Sequence, residues 1–239
     1  NYKYSVAWID CLAGGKKLGR SIVMFGNHAE LTDLKNINDH LRVHHDPKLS
    51  VPFQFPSFAL NSLLVRTFNL LYYHKNLSAE KKFLSHYETF FYPLDSIHSW
   101  NRIYGKKGFL QWQCVLPETN GRDGIKEILT KIQQAKRGSF LAVLKKMGEQ
   151  EGLLNFPVKG YTLALDFSLT KNVHDFLDRL DEIVIKFGGR IYLTKDARLK
   201  RESLAKMYPD LNRWKAIKKE TDPENRFSSL QAERLGLLN

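Results

Sequence analysis

Five polar side chains stand where the strand patterns place sheet interior. Gln111 and Gln113 fall on one face of GFLQWQCVL, Lys145 lies near the end of SFLAVLKKMG, Thr162 sits within KGYTLALDFSL, and Lys195 follows GGRIYLT. Amide donors and two cations along one surface suit a polyhydroxyl, phosphorylated ligand. A plainer reading is equally physical: antiparallel sheets often keep one wet face, and polar side chains there require no ligand. Both readings stand at this level.

Other chemistries are thinly represented. Neither G-x-G-x-x-G nor G-x-x-x-x-G-K-[ST] occurs, so a phosphate-cradling loop is not in this chain. H-E-x-x-H, G-x-S-x-G and C-x-x-C are absent too. His44 and His45 form the only adjacent histidine pair. Neighbours on an extended chain point to opposite sides, so they read as solvated loop, and no metal site is expected. Cys11 and Cys114 sit in half-apolar, strand-like contexts and read as buried thiols in a reducing compartment.

The elements that must position the five polar residues are legible from about residue 108. Phe109, Gln111 and Gln113 alternate with Leu110, Trp112 and Cys114, as on a strand whose two faces meet different surroundings. Ile125, Ile128, Leu129 and Ile132 make a helical stripe with Asp123 available as N-cap. Two further strands follow, in SFLAVLKKMG and KGYTLALDFSL. A second helical stripe, Val173, Phe176, Leu177, Leu180 and Val184, is stopped by paired glycines, and RIYLT is a fourth strand. The order β-α-β-β-α-β over residues 108–194 predicts an α+β, ferredoxin-like unit: an antiparallel sheet with both helices on one face, the other face free.

Upstream, YSVAWIDCLA and RSIVMFGNHA read as two strands joined by the Gly-rich turn GGKKLG. Leu60, Leu63, Leu64, Phe68 and Leu71 follow helical spacing, and NLSAEKKFLSHYETF reads as a mobile loop. Downstream, a helical C-terminal tail is expected, broken at Tyr208 and Pro209, turning at Asp222 and Pro223, and ending in an amphipathic turn or two. The net charge of +12 favours a polyanionic partner, whether nucleic acid, anionic membrane or phosphorylated substrate. A basic ferredoxin-like unit carrying KKGFLQWQCVL also suggests an RNA-binding or phosphorylated-ligand module without redox activity. Against RNA, the segment is the first strand where that motif belongs on the third, and the residues beside Phe109 are glutamines. No apolar run reaches about 18 residues, and no signal peptide is visible. The absent initiator methionine suggests a processed protein or an excised fragment.

Taken in order, the blocks YSVAWID, KLGRSIV, YPLDSIHSWNRIYGKKGFLQWQCVLP, FLAVLKKMG, FPVKGYTLALDF, FGGRIYLTKDAR and MYPDLNRWKAIKKETDPENRF resemble the later part of FAD-linked oxidases of the vanillyl-alcohol oxidase superfamily. The resemblance implies a substrate-binding (cap) domain over residues 1–188 and a C-terminal segment, 189–239, that packs on an upstream FAD-binding domain outside this chain. It implies FAD as cofactor and oxidation of a secondary sugar hydroxyl to a ketone, on polyprenyl-phosphoryl ribose or a related sugar. Lys195 and Tyr192 correspond to catalytic, flavin-side residues; Gln111, Gln113, Lys145, Trp8 and Phe91 correspond to substrate-side residues. Thr162 and Ala164 stand where sugar oxidases of that family carry asparagine and cysteine. The same resemblance makes a partner reductase and peripheral contact with the inner membrane, from a cytoplasmic location, further expectations.

Overall fold

The computed structural model describes residues 2–34, 49–56, 61–75, 78, 80–139 and 141–238. His44 and His45 lie outside the described residues. Two compact units are present: residues 1–5 with 24–108, and residues 6–23 with 109–239. The chain opens with β1 (Tyr4–Ile9) and β2 (Ser21–Gly26), and the division falls within both strands.

The smaller unit holds β3 (Leu49–Ser50), α1 (Ser62–His74), α2 (Tyr87–Phe91) and β4 (Ile97–His98), with β3 and β4 paired in parallel. Asn61 starts α1 by accepting the Leu64 amide at 2.9 Å. Leu60 lies outside the described residues; from Leu63 on the helical spacing holds, but Leu63, Leu64, Phe68 and Leu71 are exposed while Val65 and Asn69 are buried. α2 occupies part of the stretch read as loop. His86 caps it through Nδ1, a role that periodicity cannot reveal in five residues.

In the larger unit, β5 (Phe109–Pro117), α3 (Gly121–Gln134), β6 (Ala142–Met147), β7 (Gly160–Ser168), α4 (Val173–Lys186) and β8 (Arg190–Ile191) follow the expected β-α-β-β-α-β order. Sheet order is β2-β1-β6-β7-β5-β8, so the ferredoxin-like four are extended by the first hairpin into six strands. β5 is an interior strand, pairing antiparallel with both β7 and the edge strand β8. Ile128, Ile132, Leu180 and Val184 are fully buried on the helices, opposite Cys114, Leu116, Leu163 and Leu165. Each such aliphatic side chain contributes about 1.5–3 kcal/mol by leaving water.

Three expectations need correction. α3 begins three residues early, with Asn120 at the N-cap, and Asp123 lies in its first turn, where a carboxylate still complements the helix dipole. RIYLT is not a full strand. Only Arg190 and Ile191 pair; the backbone then turns into a 3-10 helix, Leu193–Lys195. The face away from α3 and α4 is only partly free, since Val115, Thr162 and Asp166 are buried on it. The paired glycines do stop α4: Gly188 adopts φ +70, and a Cβ at Gly189 would lie 2.4 Å from the Val115 carbonyl oxygen.

Gly160 opens β7 for a similar reason. A Cβ there would lie 2.0 Å from the Leu116 carbonyl oxygen across the β5–β7 pair. Gly160→Ala is expected to force these strands apart and lower the unfolding free energy by about 2–3 kcal/mol, read from the denaturant midpoint.

The tail forms α5 (Arg201–Met207), α6 (Leu211–Thr221) and α7 (Leu230–Arg234), broken at Tyr208 and Pro209 as expected. Asp222 organises the next turn, accepting from the amides of Arg226 at 2.8 Å and Phe227 at 3.0 Å and from the Lys218 ammonium. The Tyr208 hydroxyl donates to the Ile191 carbonyl at 2.8 Å, fixing the end of α5 to the edge strand β8. Covering that edge removes a template for intermolecular strand pairing.

Candidate functional site on the sheet face

The antiparallel registers settle which side chains share a face, because directly opposed residues project to the same side. One cross-strand row runs Trp8, Val143, Ala164, Gln113. The next runs Lys145, Thr162, Val115, Arg190. Gln111 opposes Asp166 in a third. The other face carries Trp112, Cys114, Leu163 and Leu165 toward the helices, where the Trp112 indole reaches Asp181 of α4 at 2.8 Å.

Six of the residues singled out in the sequence therefore lie in adjoining rows: Gln111, Gln113, Lys145, Thr162, Ala164 and Trp8. The Gln113 amide donates to the Thr162 hydroxyl at 3.0 Å. Gln111, Gln113 and Ala164 are half-buried, Trp8 and Thr162 buried, and Lys145 exposed. A small residue at 164 beside an amide fixed by a hydroxyl leaves a shallow polar patch with a cation at its margin. Phe91 is not on this sheet; it belongs to α2 in the smaller unit, edge-to-face with Tyr4 and Phe90, each at 5.0 Å.

The loop that carries Lys195 is tied to β5 through backbone. The Tyr192 amide donates to the Gln113 carbonyl at 2.9 Å, and the Lys195 amide to the Tyr192 carbonyl at 3.1 Å. The Tyr192 ring packs at a tilt against Phe156, with centroids 4.5 Å apart. The Lys195 side chain is exposed and, among the described residues, makes no ion pair.

Sequence reasoning missed the polar network behind this loop. Arg198, almost fully buried, joins Asp178 and Asp181 of α4. Burial pushes the Asp181 carboxyl up to about 6, with Arg198 and Trp112 offsetting part of the cost. Arg190 donates to the carbonyl and side-chain oxygens of Asn155 at 2.8 and 3.1 Å. An aspartate next to Leu180, inside an otherwise apolar helical stripe, is the signal that could have revealed Asp181. Cys11 and Cys114 are buried free thiols as expected, and burial pushes Cys11 up to about 12, well away from thiolate chemistry. Among the described residues no cluster of metal-binding side chains occurs, and no helix is long and apolar enough to cross a membrane.

Comparison with known proteins adds three findings. Residues 161–235 match the family described as D-arabinono-1,4-lactone oxidase. Over 241 residues the chain is 36% identical to decaprenylphosphoryl-beta-D-ribose oxidase of Mycolicibacterium smegmatis, covering 100% of this chain and 52% of that protein. It is 26% identical over 244 residues to an uncharacterized protein of Streptomyces coelicolor, covering 99% of this chain and 66% of the other. The chain thus spans about half the length of the first relative and two-thirds of the second.

Proposed function

We propose that this chain, whose residues 161–235 match the family described as D-arabinono-1,4-lactone oxidase, is the substrate-side part of an FAD-dependent oxidoreductase. The reaction is oxidation of a secondary sugar hydroxyl to a ketone. The observation that carries this reading is the row geometry. Gln113, held by Thr162 and flanked by Ala164, sits between the Lys145 cation and the loop that presents Lys195. Hydroxyl-rich, anionic ligands need hydrogen-bonding amides and cations of this kind on one surface.

The residues present fit one wall of a flavin site and not its phosphate cradle. The sheet offers a half-buried polar face beside the aromatic Tyr192, suited to face a planar ring, whereas no glycine-rich anion loop occurs in the sequence. When bound, the flavin supplies hydride acceptance. Lys195 and Tyr192 would line its ring, while the phosphates would be held by an upstream FAD-binding domain that packs on residues 189–239, with residues 1–188 forming the cap.

Within that frame the division of labour follows from charge. Oxidation to the ketone sends the hydride on carbon to the flavin and the hydroxyl proton to water, and the Lys195 ammonium would stabilise the negative charge that develops on oxygen. Gln111 and Gln113 bind neighbouring hydroxyls, and Lys145 meets the phosphate of a lipid-linked sugar. The name of the mycobacterial relative, decaprenylphosphoryl-beta-D-ribose oxidase, makes a polyprenyl-phosphoryl pentose the first substrate to try. The excess of basic residues supports peripheral contact with the anionic membrane that would carry such a lipid. The alternative of an RNA-binding sheet has little support, since the outward face of β5 offers Phe109 as its single aromatic.

Visible absorption tests the proposal. A protein extended upstream to its natural start is expected to show flavin bands, and this chain alone to be colourless. If neither carries flavin and none is released on denaturation, the oxidoreductase reading is wrong and the cations belong to a polyanion-binding surface.

A further inference from the structure

The loop that carries Lys195 is held from behind by one short helix of the tail. The Gln231 side-chain amide donates to the carbonyls of Leu193 at 2.6 Å and Asp196 at 3.3 Å, the residues two before and one after Lys195. Arg234, one turn further along α7, pairs with the Asp196 carboxylate at 2.7 Å and donates to the Leu199 carbonyl. Asp196 in turn accepts from the amides of Arg198 at 2.9 Å and Leu199 at 2.7 Å, and its side chain is almost fully buried. α7 is itself anchored. Ser229 caps its start at 3.1 Å, and Leu235 and Leu237 are buried just beyond its end.

This arrangement is unequal in a telling way. The backbone on both sides of Lys195 is fixed by side chains from 35 to 38 residues downstream, yet the ammonium it presents is exposed and, among the described residues, makes no ion pair. A solvated surface lysine needs no such clamp. A charge that must stay at one point relative to a reacting oxygen does, because its effect depends on preorganisation.

We propose that Gln231 and Arg234 are positioning residues for Lys195, with α7 acting as the brace that fixes where its ammonium projects. The inference rests on the reading of Lys195 given above. Both act on the loop of residues 193–199, Gln231 through backbone carbonyls and Arg234 through the Leu199 carbonyl and the Asp196 carboxylate.

A double-mutant cycle in the full-length, flavin-loaded protein tests it. Lys195→Met, Gln231→Met and the double variant are compared by limiting rate of flavin reduction, by substrate dissociation constant and by flavin reduction potential. Gln231→Met is expected to lower the limiting rate about tenfold with little change in the dissociation constant, as a small displacement of a catalytic charge does. It should shift the potential in the same direction as Lys195→Met, and add nothing in the Lys195→Met background. Should Gln231→Met fail to fold, Arg234→Lys, which keeps the charge but loses the two-pronged geometry, takes its place in the cycle. Effects of equal size in both backgrounds would show a purely structural brace and overturn the inference. A response to Lys195→Met with none to the α7 variants would overturn it while leaving the role of Lys195 intact. No response to Lys195→Met would overturn both.

Discussion

Lys195→Met in the full-length, flavin-loaded protein is expected to slow flavin reduction by about 10²–10⁴-fold, the range typical for loss of a group that handles a proton or its charge. Stability should hardly change. The side chain is exposed and unpaired among the described residues, and surface substitutions of that kind stay within about 0.5 kcal/mol. Methionine keeps much of the aliphatic stem, so any loss reports the ammonium and not the packing. Stopped-flow absorbance with a sugar-phosphate substrate measures the rate, and a thermal melt checks the fold. If reduction proceeds at the native rate, Lys195 is one more solvated charge on a basic protein. The clamp on its backbone would then have to be explained as anchorage of the tail alone.

What could be read from the sequence divides along a physical line. The helices α3 and α4 bury one stripe each, and β5 and β7 turn most of their large apolar side chains to the helix side, so their periods of 3.6 and 2 are written in the apolar residues. The expectation that Gln111, Gln113, Thr162 and Lys145 share one face came from the β-α-β-β-α-β order, which suggests which strands are neighbours, whereas the register that puts Ala164 opposite Gln113 is not written in that order. β8 was overestimated because Tyr192, Leu193 and Thr194 continue a strand-like composition, while after the Tyr192 amide bonds to Gln113 the chain turns. The polar partners were the least legible. Asp181 with Arg198, and Gln231 with Leu193, are separated by 17 and 38 residues, and no local pattern announces a pairing made across the fold. In α1 the apolar spacing was visible, but exposure of Leu63, Leu64, Phe68 and Leu71 depends on surroundings that spacing does not encode.

The second large effect is on stability and comes from Asp181→Ala. Asp181 accepts the Trp112 indole at 2.8 Å through one oxygen and the Arg198 guanidinium through the other, all three side chains being nearly or fully buried. Removing the carboxylate leaves a buried indole N–H without its acceptor and a buried guanidinium held by Asp178 alone, at 2.7 Å. Breaking a buried pair by deleting one partner costs about 3–5 kcal/mol, even where the intact pair contributes little net. The partly exposed Asp178, deleted in the same way, should cost less than about 1 kcal/mol. The pH dependence carries a matching signature. Burial, the largest cause, raises the Asp181 carboxyl from 3.8 to about 6 in the fold, so the folded state binds this proton more tightly than the unfolded chain does. The stabilisation from that proton is fully present below about pH 4 and is lost as pH rises through about 6. Denaturant unfolding from pH 4 to 7 should therefore show a decline in the native protein that Asp181→Ala lacks. Identical pH curves, or a cost at neutral pH no larger than that of Asp178→Ala, would mean that Arg198 is satisfied without Asp181. The segment leading from Ile191 past Lys195 would then be held without Asp181, by the Tyr192–Gln113 backbone bond, Tyr208 and α7.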